Sequence, residues 1–111
     1  MIVVQRFRVG AEAEAQFRAD AEDALAVLAE QRGFVDGHLG RNVDEPSLWL
    51  LQTLWDGPGA YRRALSAYDV KLTAVPVLSR AVDEPSAYEL VDPGTDLNVA
   101  RFRTTGGPSI G

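Results

Sequence analysis

Trp55 and Tyr61, an indole and a phenol six residues apart, are the side chains of this sequence best suited to chemistry on a small aromatic molecule. Each carries a flat apolar ring and one polar hydrogen, so the pair could clamp an aromatic ring and donate to an oxygen that gathers charge. Tyr68 lies seven residues beyond Tyr61, two helical turns along the same face, and is expected to line the same cavity. Asp69 and Lys71, which follow, read as a solvated helix face. His38 is the single histidine and there is no cysteine, which rules out a Cys-His dyad, a Cys-ligated metal, a disulfide and a facial triad of two histidines and a carboxylate. Gly57-Pro58-Gly59 precedes a helix but carries no Lys-Ser/Thr, and there is no Gly-x-Ser-x-Gly elbow. No metal is expected.

The elements that must hold these residues follow from periodicity. Ser47 to Asp56 is apolar on both faces of a strand, with Trp49, Leu51 and Trp55 on one side and Leu48, Leu50 and Leu54 on the other. Ile2 to Val9 and Phe34 to Val43 read as further strands, and Ser86 to Val91 as a last one. Ala11 to Gln31 repeats apolar residues at helical spacing, through Phe17, Ala21, Leu25 and Leu28, and Gly33 marks its end. A second helix is expected from an Asp56 N-cap through Pro58, Tyr61, Leu65, Tyr68 and Leu72, stopped by Pro76, with Val77 to Ala81 as an extra turn. The order is βαββαβ, an α+β, ferredoxin-like arrangement with an antiparallel sheet and its helices on one face. The helix-free face carries Leu48, Leu50 and Leu54, and a second copy of the chain is the expected cover, giving a homodimer.

Parity sets the faces. If Val43 pairs with Ser47 across a turn at Asp44 to Pro46, then His38 lies opposite Gln52 on the helix-free face. Val35 then falls beside Trp55, Leu39 beside Leu51 and Arg41 beside Trp49, all facing the helices. Trp55 and Tyr61 bracket the corner between strand and helix, with Leu51 and Leu39 as the floor of a cavity. The segment Val43-Asp44-Glu45-Pro46-Ser47-Leu48-Trp49 recurs as Val82-Asp83-Glu84-Pro85-Ser86-Ala87-Tyr88, and reads as one turn chemistry used twice ahead of a strand. The folded domain is expected over residues 1–91; residues 92–111 form a tail in which Leu97 to Arg103 alternates enough for a strand, mobile or packed on the partner.

A chain of 111 residues that is 46% hydrophobic can bury one core. The net charge of −5 and the lack of any Lys/Arg cluster argue against nucleic acid or an anionic membrane surface as a partner. No stretch approaches the roughly 18 apolar residues of a membrane span, so a cytoplasmic protein with a small-molecule partner is expected.

Gly33-Phe34 leading into the second strand, Trp55-Asp56 ending the third, Tyr61 and Ala64-Leu65-Ser66 on the second helix, and Asp83-Glu84-Pro85-Ser86-Ala87-Tyr88-Glu89 before the last strand resemble the antibiotic biosynthesis monooxygenase superfamily over residues 1–91. The resemblance implies a dimeric α+β barrel and cofactor-free oxygenation of a small aromatic or polyketide-like phenol, such as an anthrone. The alternative it leaves is a barrel that binds such a molecule without turning it over. Trp55 and Tyr61 match the Trp and Tyr of the quinone-forming branch, and are thereby the implied catalytic residues. Trp49, Leu51, Leu39 and Tyr68, which parity and helical spacing set toward the cavity, are the expected substrate-binding positions, with Arg80 the nearest candidate for the later Arg that the resemblance implies. Where that branch has an Asn four residues before the Trp, this chain has Leu51. The haem-degrading branch requires a His on the second helix and an Asn on the first strand, and this chain has neither.

Overall fold

The computed structural model describes residues 1–97. Four strands, β1 (Ile2–Arg8), β2 (Phe34–Arg41), β3 (Leu48–Trp55) and β4 (Ala87–Tyr88), form one antiparallel sheet in the order β2-β3-β1-β4. Helix α1 (Glu14–Ala29) enters through a short 3-10 turn at Ala11–Ala13, and α2 (Pro58–Ser66), α3 (Tyr68–Thr73) and α4 (Val75–Leu78) follow β3. This is the ferredoxin-like α+β fold. No described helix is long and apolar enough to cross a membrane.

Burial alternates along β3 as side chains alternate across a strand: Trp49, Leu51, Thr53 and Trp55 are buried, while Leu48, Leu50, Gln52 and Leu54 are half-buried. The buried row meets Phe17, Ala21, Ala24 and Leu28, four residues on one stripe of α1, with Ala60, Ala64, Val70 and Val77 from the later helices. The β2–β3 ladder pairs His38 with Gln52, Leu39 with Leu51 and Arg41 with Trp49, the register that a turn at residues 44–46 dictates. Asn42 closes that turn, its side-chain oxygen accepting from the amides of Asp44 (2.9 Å) and Glu45 (2.8 Å).

Four expectations are corrected. A bulge between Phe34 and Asp36 sets Phe34, not Val35, opposite Trp55; an extra residue in one strand exchanges the faces beyond it, and Val35 is left 52% exposed. The second helix does not run unbroken to Pro76. Ser66 turns its hydroxyl back onto the Arg62 carbonyl (3.2 Å), a bond that bends helices, and Ala67 is extended (φ −67°, ψ 142°). Its N-cap is Gly57 rather than Asp56, whose amide instead donates to the Gly33 carbonyl (2.8 Å). The last strand is two residues long, although the Val4 amide extends the pairing to the Ser86 carbonyl (2.7 Å). The strand expected at 97–103 lies, from residue 98, outside the described residues.

Candidate functional site

Trp55 ends β3 on the helix side and is 1% exposed. Phe34 meets it edge-on with ring centroids 5.3 Å apart, and Tyr61 lies against it at 5.4 Å and 54°. Its indole N–H donates to the Thr53 hydroxyl at 2.8 Å, so the ring supplies a wall and no free donor. Tyr61, in the first turns of α2, is half-buried, and desolvation pushes its hydroxyl above the usual phenol range. It is therefore a neutral donor near neutral pH. Among the described residues its hydroxyl has no hydrogen-bond partner.

Beside Tyr61, α2 diverges from α3 and α4 and leaves an open cavity of about 660 Å³ lined by Gln5, Tyr61, Leu65, Lys71, Val75, Leu78 and Ser79. Its base is Gln5, which stands between the buried Val3 and Phe7 on the helix side of β1 and opposite Leu51 in the β1–β3 ladder. The Ser79 hydroxyl donates to the Pro76 carbonyl (2.9 Å) and retains acceptor capacity toward the cavity. Apolar walls with four polar side chains among them, an amide, a phenol, an ammonium and a hydroxyl, are the usual makings of a small-molecule site. A more polar cavity of about 570 Å³ lies at the Trp55 end of the sheet, among Met1, Asp56, Arg62 and residues 87–90.

The remaining expected positions are dispersed. Leu51 is buried and Leu39 half-buried, in the row Leu39, Leu51, Gln5 across the sheet, so only Gln5 reaches the cavity. Trp49 lies farther along β3, edge-on to Phe17 (5.5 Å) and beneath the Arg41 guanidinium (5.6 Å), and its buried N–H has no partner among the described residues. Tyr68 does not share Tyr61's face: the break at Ala67 resets the helical phase, and the side chain is 79% exposed. Arg80 is drawn to α1, bonded to Asp20 at 3.0 Å and set over the Phe17 ring, and lines a separate cleft. Lys71 is exposed, as expected of a solvated face, but it also lines the cavity, and Gln5 and Ser79 were not anticipated. Parity could have found Gln5, a polar residue in register with Val3 and Phe7. His38 projects from the helix-free face, 3.3 Å from Asp36 and outside the cavity lining. No group of three or more His, Cys, Asp and Glu that could hold a metal exists among the described residues.

Fold and cavity together define a small ferredoxin-like protein with an open cavity beside Tyr61. A model of the antibiotic biosynthesis monooxygenase family matches residues 1–73, and the chain belongs to that family. Among solved structures it is similar to SnoaB, a cofactor-independent oxygenase from Streptomyces nogalater, at 27% identity and a TM-score of 0.65, over 87% of this chain and 95% of that one. It shares its fold with Rv0793 from Mycobacterium tuberculosis (15% identity, TM-score 0.66, 85% and 97% covered) and with a conserved protein from Methanosarcina mazei Go1 (17%, 0.64, 78% and 84%). Among curated proteins, none matches the chain significantly.

Proposed function

We propose that this protein is a cofactor-independent monooxygenase acting on a small aromatic or polyketide-like phenol held in the Tyr61 cavity. The observation that carries the reading is that Tyr61 and Gln5 both line a largely apolar space of about 660 Å³. The likeness to SnoaB, described as a cofactor-independent oxygenase, supports it. For an anthrone the balance is one CH2 oxidised to a carbonyl, one dioxygen consumed and one water released. Loss of a proton gives a carbanion-enolate that passes an electron to dioxygen. The radical pair combines to a peroxide at carbon, and cleavage of the O–O bond with loss of the second C–H proton leaves the carbonyl and water. Tyr61 and Gln5 would donate to the oxygens on which charge gathers, beside the apolar walls of the cavity. The reaction needs no flavin or metal.

The oxygenase reading is tested by oxygen uptake with anthrone and matched quinone formation. Stoichiometric uptake that falls in Tyr61→Phe is the expected result, and no uptake above the uncatalysed rate overturns it. The Trp55 N–H is already engaged by Thr53 and position 51 is aliphatic, so two donors of the implied set are missing here. These observations favour, as second reading, a protein that binds such a ligand without oxidising it; saturable binding with no oxygen uptake would select it. In either case the protein is proposed to work as a homodimer in the cytoplasm, its helix-free sheet faces packed together.

A further inference from the structure

Lys71 is the sole lysine of a chain whose net charge is −5, and it lines the open apolar cavity. Five arginines among the described residues each grip a carboxylate: Arg6 with Glu84, Arg8 with Glu45, Arg18 with Glu22, Arg41 with Glu14 and Arg80 with Asp20. Lys71 grips none. Asp69, two residues away on α3, turns its carboxylate to the Val70 amide (3.0 Å). No Asp or Glu lines this cavity, and the residues from 98 onward contain neither.

The acids that come nearest lie at the other end. Gln5, Leu78 and Ser79 also line an adjoining cleft of about 320 Å³ that holds Asp83 and Glu84, and Glu84 is neutralised by Arg6. The lining therefore holds a cation, Lys71, together with an amide and a hydroxyl, Gln5 and Ser79, which adjoin a cleft that holds carboxylates. On a surface that repels anions overall, an uncompensated ammonium beside apolar walls selects a ligand by charge, and its aliphatic stem can lie along those walls.

Resting on the reading of this cavity as the ligand site, we infer that its ligand is an anionic aromatic, oriented with its ionised acid group on Lys71 and its rings between Tyr61, Leu65, Val75 and Leu78. The uncharged oxygen functions of such a ligand then face Gln5 and Ser79, and its acid group is kept away from the carboxylates beyond them.

Anthracene-9-carboxylate and anthracene-9-carboxamide have nearly one shape and differ in charge, and both report binding by quenching tryptophan fluorescence, since Trp55 adjoins Tyr61. The carboxylate is expected to bind roughly fivefold more tightly, the scale of an exposed ion pair. Lys71→Met should remove the difference, Lys71→Arg should keep it, and about 0.5 M salt should shrink it. Equal affinities in the wild-type protein, or a preference that survives Lys71→Met, would overturn the inference and leave the cavity as the binding site. If neither probe binds, the reading of the cavity falls and this inference with it.

Discussion

The indole N–H of Trp55 is bonded to the hydroxyl of Thr53, two residues back on the same face of β3. A donor that looked available to a ligand is thus turned inward and holds the ring as a wall for Tyr61. Thr53 is the one fully buried polar residue among those described, and its partner explains why it is tolerated there. Thr53→Val would keep the shape and orphan the N–H, so denaturant titration should show a loss of about 1–3 kcal/mol, with Thr53→Ser recovering most of it. A neutral Thr53→Val would mean that the bond is dispensable.

Tyr61 and Gln5 separate function from stability. Tyr61→Phe removes one hydroxyl that has no partner in the fold, so stability should change by no more than about 0.5 kcal/mol. Gln5→Leu puts an apolar chain where apolar neighbours already pack, and the protein should be equally stable or slightly more so. If the cavity oxidises a phenol, each change should slow turnover by roughly tenfold or more, because a donor to the reacting oxygens is lost. Steady-state oxygen uptake beside thermal unfolding makes the comparison; unchanged rates in both variants would assign them to packing alone.

How far the site could be read from the sequence depended on the scale of the rule in use. Strand parity extends over eight residues, so a turn closed by Asn42 correctly placed His38, Leu39 and Arg41 against Gln52, Leu51 and Trp49. One bulge was enough to move Phe34 into the place expected for Val35, because bulges carry no strong residue signature. Helical phase is equally fragile: Tyr68 shares the spacing of Tyr61, and a single extended residue, Ala67, turns it to solvent while bringing Lys71 to the cavity. Gln5 was legible and was passed over, since one polar residue in an apolar strand attracts less notice than an aromatic pair.

Gly33 lies where α1 turns into β2, at φ +92°, a left-handed conformation suited to glycine. A Cβ there would collide with the Ala60 methyl at the start of α2, the helix that carries Tyr61. Gly33→Ala should cost more than the roughly 1–3 kcal/mol of the strained backbone alone, and lower the unfolding midpoint accordingly. A change within about 0.5 kcal/mol would show that the turn can relax.

The repeated Val-Asp-Glu-Pro-Ser segments flank β1 on both sides, and each sends its glutamate to an arginine of that strand, Glu45 to Arg8 and Glu84 to Arg6. The second pair is bidentate, with both contacts at 2.7 Å. That bond holds the Glu84 carboxyl below the usual glutamate range, its hydrogen bond from Arg6 being the main cause. A depressed folded-state pKa gives stability that is fully present above the unfolded value and is lost as pH falls through the folded one. Wild type should therefore exceed Glu84→Gln in melting temperature at neutral pH, with the gap closing as the solution is acidified below the ordinary glutamate range. A gap independent of pH would assign the loss to packing of the β4 edge.

The helix-free face carries Ile2, Val4, Leu48, Leu50 and Leu54, all half-buried by their neighbours within the sheet and none covered by a helix. Completing the burial of a large aliphatic side chain is worth a fraction of about 1.5–3 kcal/mol, and two copies packed face to face gain it for every residue of the row twice over. Arg6 and Arg8 share this face but are already paired to Glu84 and Glu45, so their charge does not oppose the packing. Light scattering at micromolar concentration should accordingly give about twice the 12.0 kDa chain mass. Leu50→Glu, at the centre of the row and beside Arg6 in the ladder, should shift the mass toward one chain, because two glutamates would face each other across the symmetric interface. Should that variant unfold, dilution of the wild type remains decisive, since a dimer held by this face must dissociate with falling concentration. A folded wild-type monomer at micromolar concentration would leave the apolar row without a purpose and end the dimer proposal.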